Sequence, residues 1–282
     1  MSARSARAAH GRAALGSSRR AAPSRLDLMS SVMRTFTATA IAATGIASCA
    51  HSETEQARGI TVFAAASLQK VFTELGKQFE AQHPGTSVRF TFAGSPTLVA
   101  QLDQGARGDV LASADEANMD RARESQLVGE ARVFATNRLV IVTARGNPKR
   151  IAKLADLANP DLAVVVCAAQ VPCGALAGKV EAKAGVVVRA RSQEPSVADV
   201  LAKVASGEAD AGLVYSTDAS AAGGTVSSVP VPEGDALATR YPIAVLDQAK
   251  GGPRGATAEA FVALVLSPQG QEVFGNAGFG KP

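Results

Sequence analysis

The chain alternates between short apolar runs and segments in which apolar residues recur every three or four positions. Residues 60–66 (ITVFAAA) form an apolar, β-branched run that predicts a buried strand. Residues 68–82 then place Phe72 and Phe79 on one stripe, which predicts a helix that ends before the His-Pro-Gly sequence at 83–85. Because the same alternation continues to the C-terminus, we expect an α/β protein with mostly parallel sheets.

The alternation runs through the chain twice. The first pass ends near residue 134, and the apolar strand RLVIVTA opens the second pass at Arg138. Two lobes of about 100 residues each are therefore expected. The helices predicted at 257–266 and 268–276 have no strands of their own, so we expect them to pack on the first lobe. The predicted lobes are residues 59–137 plus 242–282 for the first and residues 138–241 for the second.

Several segments carry weaker patterns. Residues 151–157 are predicted as a helix, and residues 186–189 as a short strand. The pattern predicts no strand between the helix expected at 117–124 and Arg138. It also predicts no helix directly after the strand at 211–215.

The N-terminal segment resembles a targeting sequence. Arg34 precedes an uncharged, mildly apolar stretch at 35–48, which is typical of a signal peptide and too short to span a bilayer about 30 Å thick. The stretch ends in Ile-Ala-Ser-Cys, which resembles a bacterial lipobox. We therefore expect cleavage before Cys49 and lipidation of that residue; plain secretory cleavage nearby is the alternative.

This reading divides the first part of the chain. Residues 1–49 are interpreted as a leader and lipoprotein signal peptide, and residues 50–58 as a polar tether. The protein is then expected outside the cell, anchored by lipid to the outer face of the cell membrane.

The basic character of the chain belongs to this leader alone. The formal net charge is +4 and the pI is about 9.1. The first 49 residues hold seven Arg and one acid, Asp27, whereas the rest holds 22 basic and 24 acidic residues. The exported part is therefore slightly acidic, which argues against a nucleic-acid partner.

Two cysteines remain once Cys49 is assigned to lipid. Cys167 and Cys173 lie six residues apart, in a protein expected in an oxidising space. A disulfide between them and a pair of buried thiols are both compatible with the sequence.

Four strand-to-helix turns carry the candidate chemistry. Each places a small or hydroxyl residue at a predicted helix start, where free backbone N–H groups attract anions. None of the four contains Lys, Arg or His, so a site built from them would hold an anion by neutral donors and would favour a fully deprotonated oxyanion. Taken singly, each turn is more typical of an ordinary helix cap; the four together favour an anion site. The turns are AAASL (64–68), AGSPT (93–97), VPCGA (171–175) and PSVADV (195–200).

Enzyme motifs are missing from the sequence. No GxSxG, HExxH, CxxC or phosphate-binding loop occurs, and His83, in a turn, is the only His after residue 51. Asp109 and Asp115 have a spacing that could ligate a metal but is more typical of caps and turns. We therefore expect no enzyme activity and no cofactor; a surface enzyme is the distant alternative.

Several blocks of the chain together resemble the extracytoplasmic molybdate-binding proteins of ABC importers. The resemblance covers residues 59–282 and implies a two-lobed, type II periplasmic-binding fold with a ligand cleft and a hinge between the lobes. It also implies that the chain binds molybdate, and tungstate as well, and delivers it as a monomer to a membrane permease. A same-fold binder of another oxyanion, such as sulfate, is the alternative. The blocks are VFAAASL, FAGSPTLVAQL, GDVLASAD, VPCG, ADVL and GLVYSTDA.

The resemblance also implies which residues hold the oxyanion. The protein would bind the metal of molybdate through these same residues, which contact the oxyanion oxygens. Serine hydroxyls, a tyrosine hydroxyl and backbone N–H groups are the implied donors. Cys173 stands where the family usually has Ala, and Leu201 stands where many members have Arg. Pro96 also removes one N–H that other members offer. The implied ligand-binding residues are Ser67, Ser95, Cys173, Val200 and Tyr215.

Overall fold

The computed structural model describes residues 59–234 and 236–282. The expected lipidation site, Cys49, and the tether lie outside the described residues. Within them, ten strands alternate with eight α-helices and several short 3-10 turns. None of these helices is long and apolar enough to cross a bilayer.

The elements have the following bounds. The strands are β1 (Ile60–Ala65), β2 (Val88–Ala93), β3 (Val110–Ala112), β4 (Arg132–Asn137), β5 (Leu139–Ala144), β6 (Val164–Cys167), β7 (Ala190–Glu194), β8 (Ala211–Tyr215), β9 (Val226–Pro230) and β10 (Thr239–Val245). The helices are α1 (Gln69–Gln82), α2 (Ser95–Asp103), α3 (Glu116–Glu124), α4 (Pro172–Ala184), α5 (Val197–Ala205), α6 (Ser216–Ala221), α7 (Gly255–Leu266) and α8 (Pro268–Asn276).

The strands form two five-stranded sheets. The first has the order β2-β1-β3-β10-β4, and the second has the order β7-β6-β8-β5-β9. In the first sheet β1 is parallel to both β2 and β3, while β10 is antiparallel to both of its neighbours. In the second sheet β6 is parallel to β7 and β8, while β5 is antiparallel to β8 and β9.

The α/β class is confirmed, but the expectation of mostly parallel sheets is wrong. Both sheets are mixed because the chain crosses between them without an intervening α-helix. β4 ends at Asn137 and β5 begins at Leu139 in the other sheet, and β10 returns to the first sheet after only a short 3-10 turn. Two consecutive strands can be parallel in one sheet only if a crossover connection joins them. Each of these two crossings joins strands of different sheets instead.

The other differences between the predicted and the observed elements fall in segments whose apolar pattern is weak. Residues 132–137 form a strand that the pattern did not predict, and residues 216–221 form a short helix. The strand expected at 186–189 lies at Ala190–Glu194, where its residues are largely exposed and carry little apolar signal. The expected helix at 151–157 is a 3-10 turn, Leu154–Ala158.

The C-terminal helices pack on the first sheet and its helix, as predicted. α7 contacts β10, and both α7 and α8 contact α1. Phe72 of α1 is fully buried, and its ring lies 5.9 Å from the ring of Phe261 in α7 and 6.2 Å from that of Phe274 in α8. Such aromatic contacts add to the burial of apolar surface, so the end of the chain is fixed to the first sheet.

Each sheet takes its strands from a different part of the chain. The first sheet takes its strands from residues 60–137 and 239–245, and the second takes its strands from residues 139–230. Residues 239–241, which fall in the predicted second lobe, pair with β4 of the first sheet. The exact lobe boundaries remain a prediction.

Candidate functional site

Turns from both sheets line one small cavity. The turn after β1 and the turn after β2 come from the first sheet, whereas the start of α4 and the end of β8 come from the second. The carboxyl ends of strands are where α/β sheets bind ligands. The cavity is small and partly open to solvent, with a volume of about 10 Å³. Its walls are Ala65, Ala66, Ser67, Gly94, Ser95, Ala114, Val171, Pro172, Cys173, Val197 and Tyr215.

Ser95 stands at the start of α2 with its hydroxyl buried. Its side chain is 1% exposed, and its Oγ accepts a hydrogen bond from the backbone N–H of Ala114 at 3.0 Å. Because that N–H can only donate, the Ser95 hydroxyl hydrogen is left to donate elsewhere. Pro96 at the next position suits the first turn of a helix, since the missing N–H would have no intrahelical partner there.

Ser67 lies in the 3-10 turn that follows β1. Its Oγ is 3.0 Å from the hydroxyl oxygen of Tyr241 on β10. The turn begins directly at the carboxyl end of β1, since its first residue is Ala66. This position brings a second serine hydroxyl to the cavity wall.

Tyr215 ends β8 and contributes a phenol. Its side chain is 1% exposed, and its hydroxyl has no partner with hydrogen-bonding geometry among the described residues, although the Tyr241 hydroxyl is near enough to affect its pKa. Leaving such a group unpaired costs about 1–3 kcal/mol. Burial raises the pKa of Tyr215 well above its ordinary value, and the nearby Tyr241, Asp115 and Asp218 raise it further. The hydroxyl therefore stays protonated and can donate to a ligand.

Cys173 lies in the first turn of α4 and is joined to Cys167 by a disulfide. The six-residue loop so formed is tight. A Cβ on Gly174 would overlap the carbonyl oxygen of Ala168, so the residue after Cys173 must be glycine. The bridge constrains the first turn of α4, whose Pro172 and Cys173 line the cavity.

Val200 lies in α5 but does not line the cavity; Val197, one turn earlier, does. The backbone N–H of Val200 donates to the carbonyl of Ser196 at 3.4 Å, a long bond. Its side chain is buried against β8, where it fits because Gly212 has no Cβ. The donor role implied for Val200 remains a prediction.

The cavity wall is uncharged: no Lys, Arg, His, Asp or Glu is among the described residues that line it. Two carboxylates, those of Asp115 and Asp218, lie near Tyr215 but do not line the cavity. Asp115 caps α3 by accepting from the N–H of Asn118 at 2.9 Å, and Asp218 accepts from the N–H of Tyr215 at 3.2 Å. Burial raises the pKa of Asp218 to about 7, although the Tyr215 N–H lowers it. An anion in the cavity would thus be held by dipoles and hydrogen bonds.

Asp109 and Asp115, whose spacing could ligate a metal, have structural partners. Asp109 is fully buried, accepts from the N–H of Thr61 at 2.7 Å and lies 3.3 Å from the Nε of Arg254. No group of three or more His, Cys, Asp or Glu side chains that could hold a metal ion occurs in residues 59–234 and 236–282.

Two buried residues beside the site were missed by the sequence analysis. Tyr241 is fully buried on β10 and contacts Ser67, while Asn137 at the end of β4 is 4% exposed and reaches Tyr241 at 3.5 Å. The alternation within TRYPIAV could have marked Tyr241 as a buried strand residue. No local signal could place it beside a serine 174 positions earlier.

A second, larger opening lies next to the site. It measures about 800 Å³ between the start of α1, α6 and the end of α8, and Lys70, Glu74, Lys77 and Asp218 are on its walls. It is far larger than a small inorganic ion needs, and charges of both signs line it.

The sequence is similar to known solute-binding proteins. Residues 60–280 match the family described as bacterial extracellular solute-binding protein. The molybdate-binding protein ModA of Mycobacterium tuberculosis (strain ATCC 25618 / H37Rv) is 49% identical over 230 residues, which cover 81% of this chain and 87% of that protein.

Solved structures share the fold. The sulfate-binding protein SubI from Mycobacterium tuberculosis H37Rv has a TM-score of 0.70 at 20% identity, and the match covers 78% of this chain and 86% of that chain. The periplasmic molybdate-binding protein of Azotobacter vinelandii has a TM-score of 0.64 at 22% identity, and the match covers 79% of this chain and 99% of that chain. These likenesses establish the two-lobed fold of periplasmic binding proteins.

Proposed function

The chain belongs to the bacterial extracellular solute-binding proteins, and from that membership we propose that it binds molybdate in the cavity between its two sheets. The observation that carries the proposal is the buried hydroxyl of Tyr215. It has no partner among the described residues, and it lies in an uncharged cavity that also holds the hydroxyls of Ser67 and Ser95. A fully deprotonated oxyanion would supply the missing acceptor.

The donors of the cavity favour an oxyanion without a proton. The backbone N–H of Ala114 occupies the Ser95 oxygen, and Tyr215 stays protonated. Hydrogen phosphate would bring a proton that needs an acceptor, and a donor without an acceptor is costly in a buried site. Molybdate, tungstate and sulfate carry no proton near neutral pH, so the donor arrangement accepts all three.

The choice of molybdate over sulfate rests on sequence similarity. The 49% identity to a molybdate-binding protein extends over most of both chains, whereas the sulfate-binding structure shares only the fold. Sulfate is the second candidate, because a sulfate-binding protein has the same fold and sulfate also accepts hydrogen bonds only. Tungstate has the same tetrahedral shape as molybdate, and we propose that it binds too.

We propose that the monomeric protein, with no cofactor and no catalysis, hands the oxyanion to an ABC-type permease. Its place would be the outer face of the cell membrane, held by lipid on Cys49. Mass spectrometry of the mature N-terminus tests the anchor: cleavage beyond Cys49 would contradict it.

Ligand-dependent melting tests the binding proposal. A ligand that binds only the native state at 100 times its Kd adds about 2.7 kcal/mol of stability, which raises Tm by about 5–10 °C in a protein of this size. We expect molybdate and tungstate to raise Tm in this way, sulfate less and phosphate least. A rise with sulfate or phosphate and none with molybdate would overturn the proposal.

A further inference from the structure

We propose that Tyr241 sets the selectivity of the site by forcing the Ser67 hydroxyl to donate toward the ligand. The inference rests on the proposed function and adds a positioning residue to it. It is carried by a chain of hydrogen bonds from Asn137 through Tyr241 to Ser67, in which we assign the donor of each bond in turn, starting from Asn137.

The direction is fixed first at Asn137. Its Oδ1 accepts from the backbone N–H of Arg138 at 2.9 Å and from the hydroxyl of Ser216 at 3.1 Å. Because a backbone N–H can only donate, this contact identifies the oxygen of the amide, and the Nδ2 group must point the other way. Nδ2 donates to the Thr217 hydroxyl at 2.8 Å and to the Tyr241 hydroxyl at 3.5 Å.

The direction is then passed to Tyr241. Its hydroxyl oxygen receives a hydrogen from Asn137, so its own hydrogen must find another acceptor. The Ser67 Oγ lies 3.0 Å away, and either oxygen of this pair could donate. We assign Tyr241 as the donor, because its hydrogen has no other acceptor with hydrogen-bonding geometry among the described residues. Burial of Tyr241, which is fully inside the protein, raises its pKa, so the phenol keeps this hydrogen.

Ser67 is the last residue in this series of hydrogen bonds. With Tyr241 donating to its oxygen, its own hydrogen is directed to the cavity that it lines. Ser95 is held in the same state by the N–H of Ala114. Both serines therefore present hydrogens, and a ligand oxygen that carries a proton meets a donor where it needs an acceptor.

This series of hydrogen bonds also joins residues of the two sheets. Thr217 and Ser216 belong to α6, which follows β8 of the second sheet, whereas Tyr241 and Ser67 belong to the first. Asn137 lies at the crossing from β4 to β5. The orientation of the Ser67 hydroxyl thus depends on contacts from both lobes.

Two variants test the inference in the full chain. Tyr241→Phe keeps the ring but removes the hydroxyl that donates to the Ser67 Oγ. Asn137→Asp replaces the donor to Tyr241 with an acceptor, so Tyr241 would turn toward residue 137 and Ser67 would donate to Tyr241. Asn137→Asp keeps the ring contacts of Tyr241 and decides the question if Tyr241→Phe does not fold.

The readout is the ratio of the affinities for molybdate and inorganic phosphate. It is measured by competition calorimetry at a pH of about 8.5, where phosphate carries two charges and one proton. Because both ions are then dianions, the charge added by Asn137→Asp affects them alike. Thr143→Val is the control, since it removes a buried hydroxyl at the other end of β5.

We expect the molybdate-to-phosphate ratio to fall by about threefold or more in both variants and to stay unchanged in the control. A smaller fall in the folded variants would overturn the inference, and a purely structural role would lower Tm without changing the ratio. If the wild type binds no molybdate, the proposed function fails as well. If the wild type binds it and the variants keep the ratio, only this inference fails.

Discussion

Gly94, at the end of the first sheet's β2, lies so close to the carbonyl oxygen of Pro195 that a Cβ on Gly94 would overlap it. Pro195 follows β7 of the second sheet. The turns that follow β2 and β7 therefore meet backbone to backbone beside the cavity, which Gly94 lines. Gly94 has ordinary extended backbone angles, with φ at −61°, so glycine is required here by the close approach alone.

Replacing Gly94 with Ala is expected to weaken oxyanion binding by about tenfold or more, because the added methyl group holds the two lobes apart. The backbone angles suit Ala, so the Tm of the ligand-free protein should change little. Calorimetry and melting measure the two effects. Gly178→Ala is the matched control, since it has open space around it in α4 and should leave affinity unchanged. Equal affinities in both variants would mean that closure does not depend on this contact.

Tyr215→Phe tests the hydroxyl that lacks a partner. We expect it to cost about 1–3 kcal/mol of binding free energy, because the ligand loses a buried donor. The ligand-free variant should melt at the same temperature or higher, since the unpaired hydroxyl is gone. Unchanged affinity for molybdate would remove Tyr215 from the site.

The disulfide between Cys167 and Cys173 should stabilise the second lobe. A bridge that closes so short a loop is expected to add about 2 kcal/mol, mostly by restricting the unfolded chain. The double variant Cys167→Ser/Cys173→Ser should unfold at lower denaturant, and reductant should shift the wild type by the same amount. Titration of two free thiols in the denatured, unreduced mature protein would contradict the bridge.

Asp218 should make stability depend on pH. Its pKa is raised in the folded protein from 3.8 to about 7, so the unfolded chain gives up the proton first as pH rises. Wild-type stability should therefore fall relative to Asp218→Asn from about pH 4 to pH 7 and then level off. Parallel melting curves of both proteins across this range measure the difference, and a constant difference would contradict the raised pKa.

The local chemistry of the site was predictable and its assembly was not. Ser67, Ser95 and Cys173 stand at strand-to-helix turns that the apolar pattern marks, whereas Tyr215 was implied by the family resemblance alone. The structure brings all four to one cavity. The partnership of Tyr241 with Ser67 depends on β10 returning to the first sheet, and no local pattern encodes that pairing.

The mixed character of the sheets escaped prediction for a related reason. Residues 132–137 alternate too weakly to be recognised as a strand, so the direct crossing from β4 to β5 was not visible. Alternation of strands and helices fixes the class of fold, whereas the direction of each strand depends on which sheet it joins.

The most direct test of the account is the position of molybdenum in crystals grown with molybdate. Anomalous diffraction at the molybdenum edge locates the metal without assumptions about its ligands. We expect one strong peak in the small cavity, at a position from which the oxyanion oxygens can accept hydrogen bonds from Ser67, Ser95 and Tyr215. A peak in the larger opening beside Lys70 and Asp218, or no ordered peak at saturating molybdate, would contradict it.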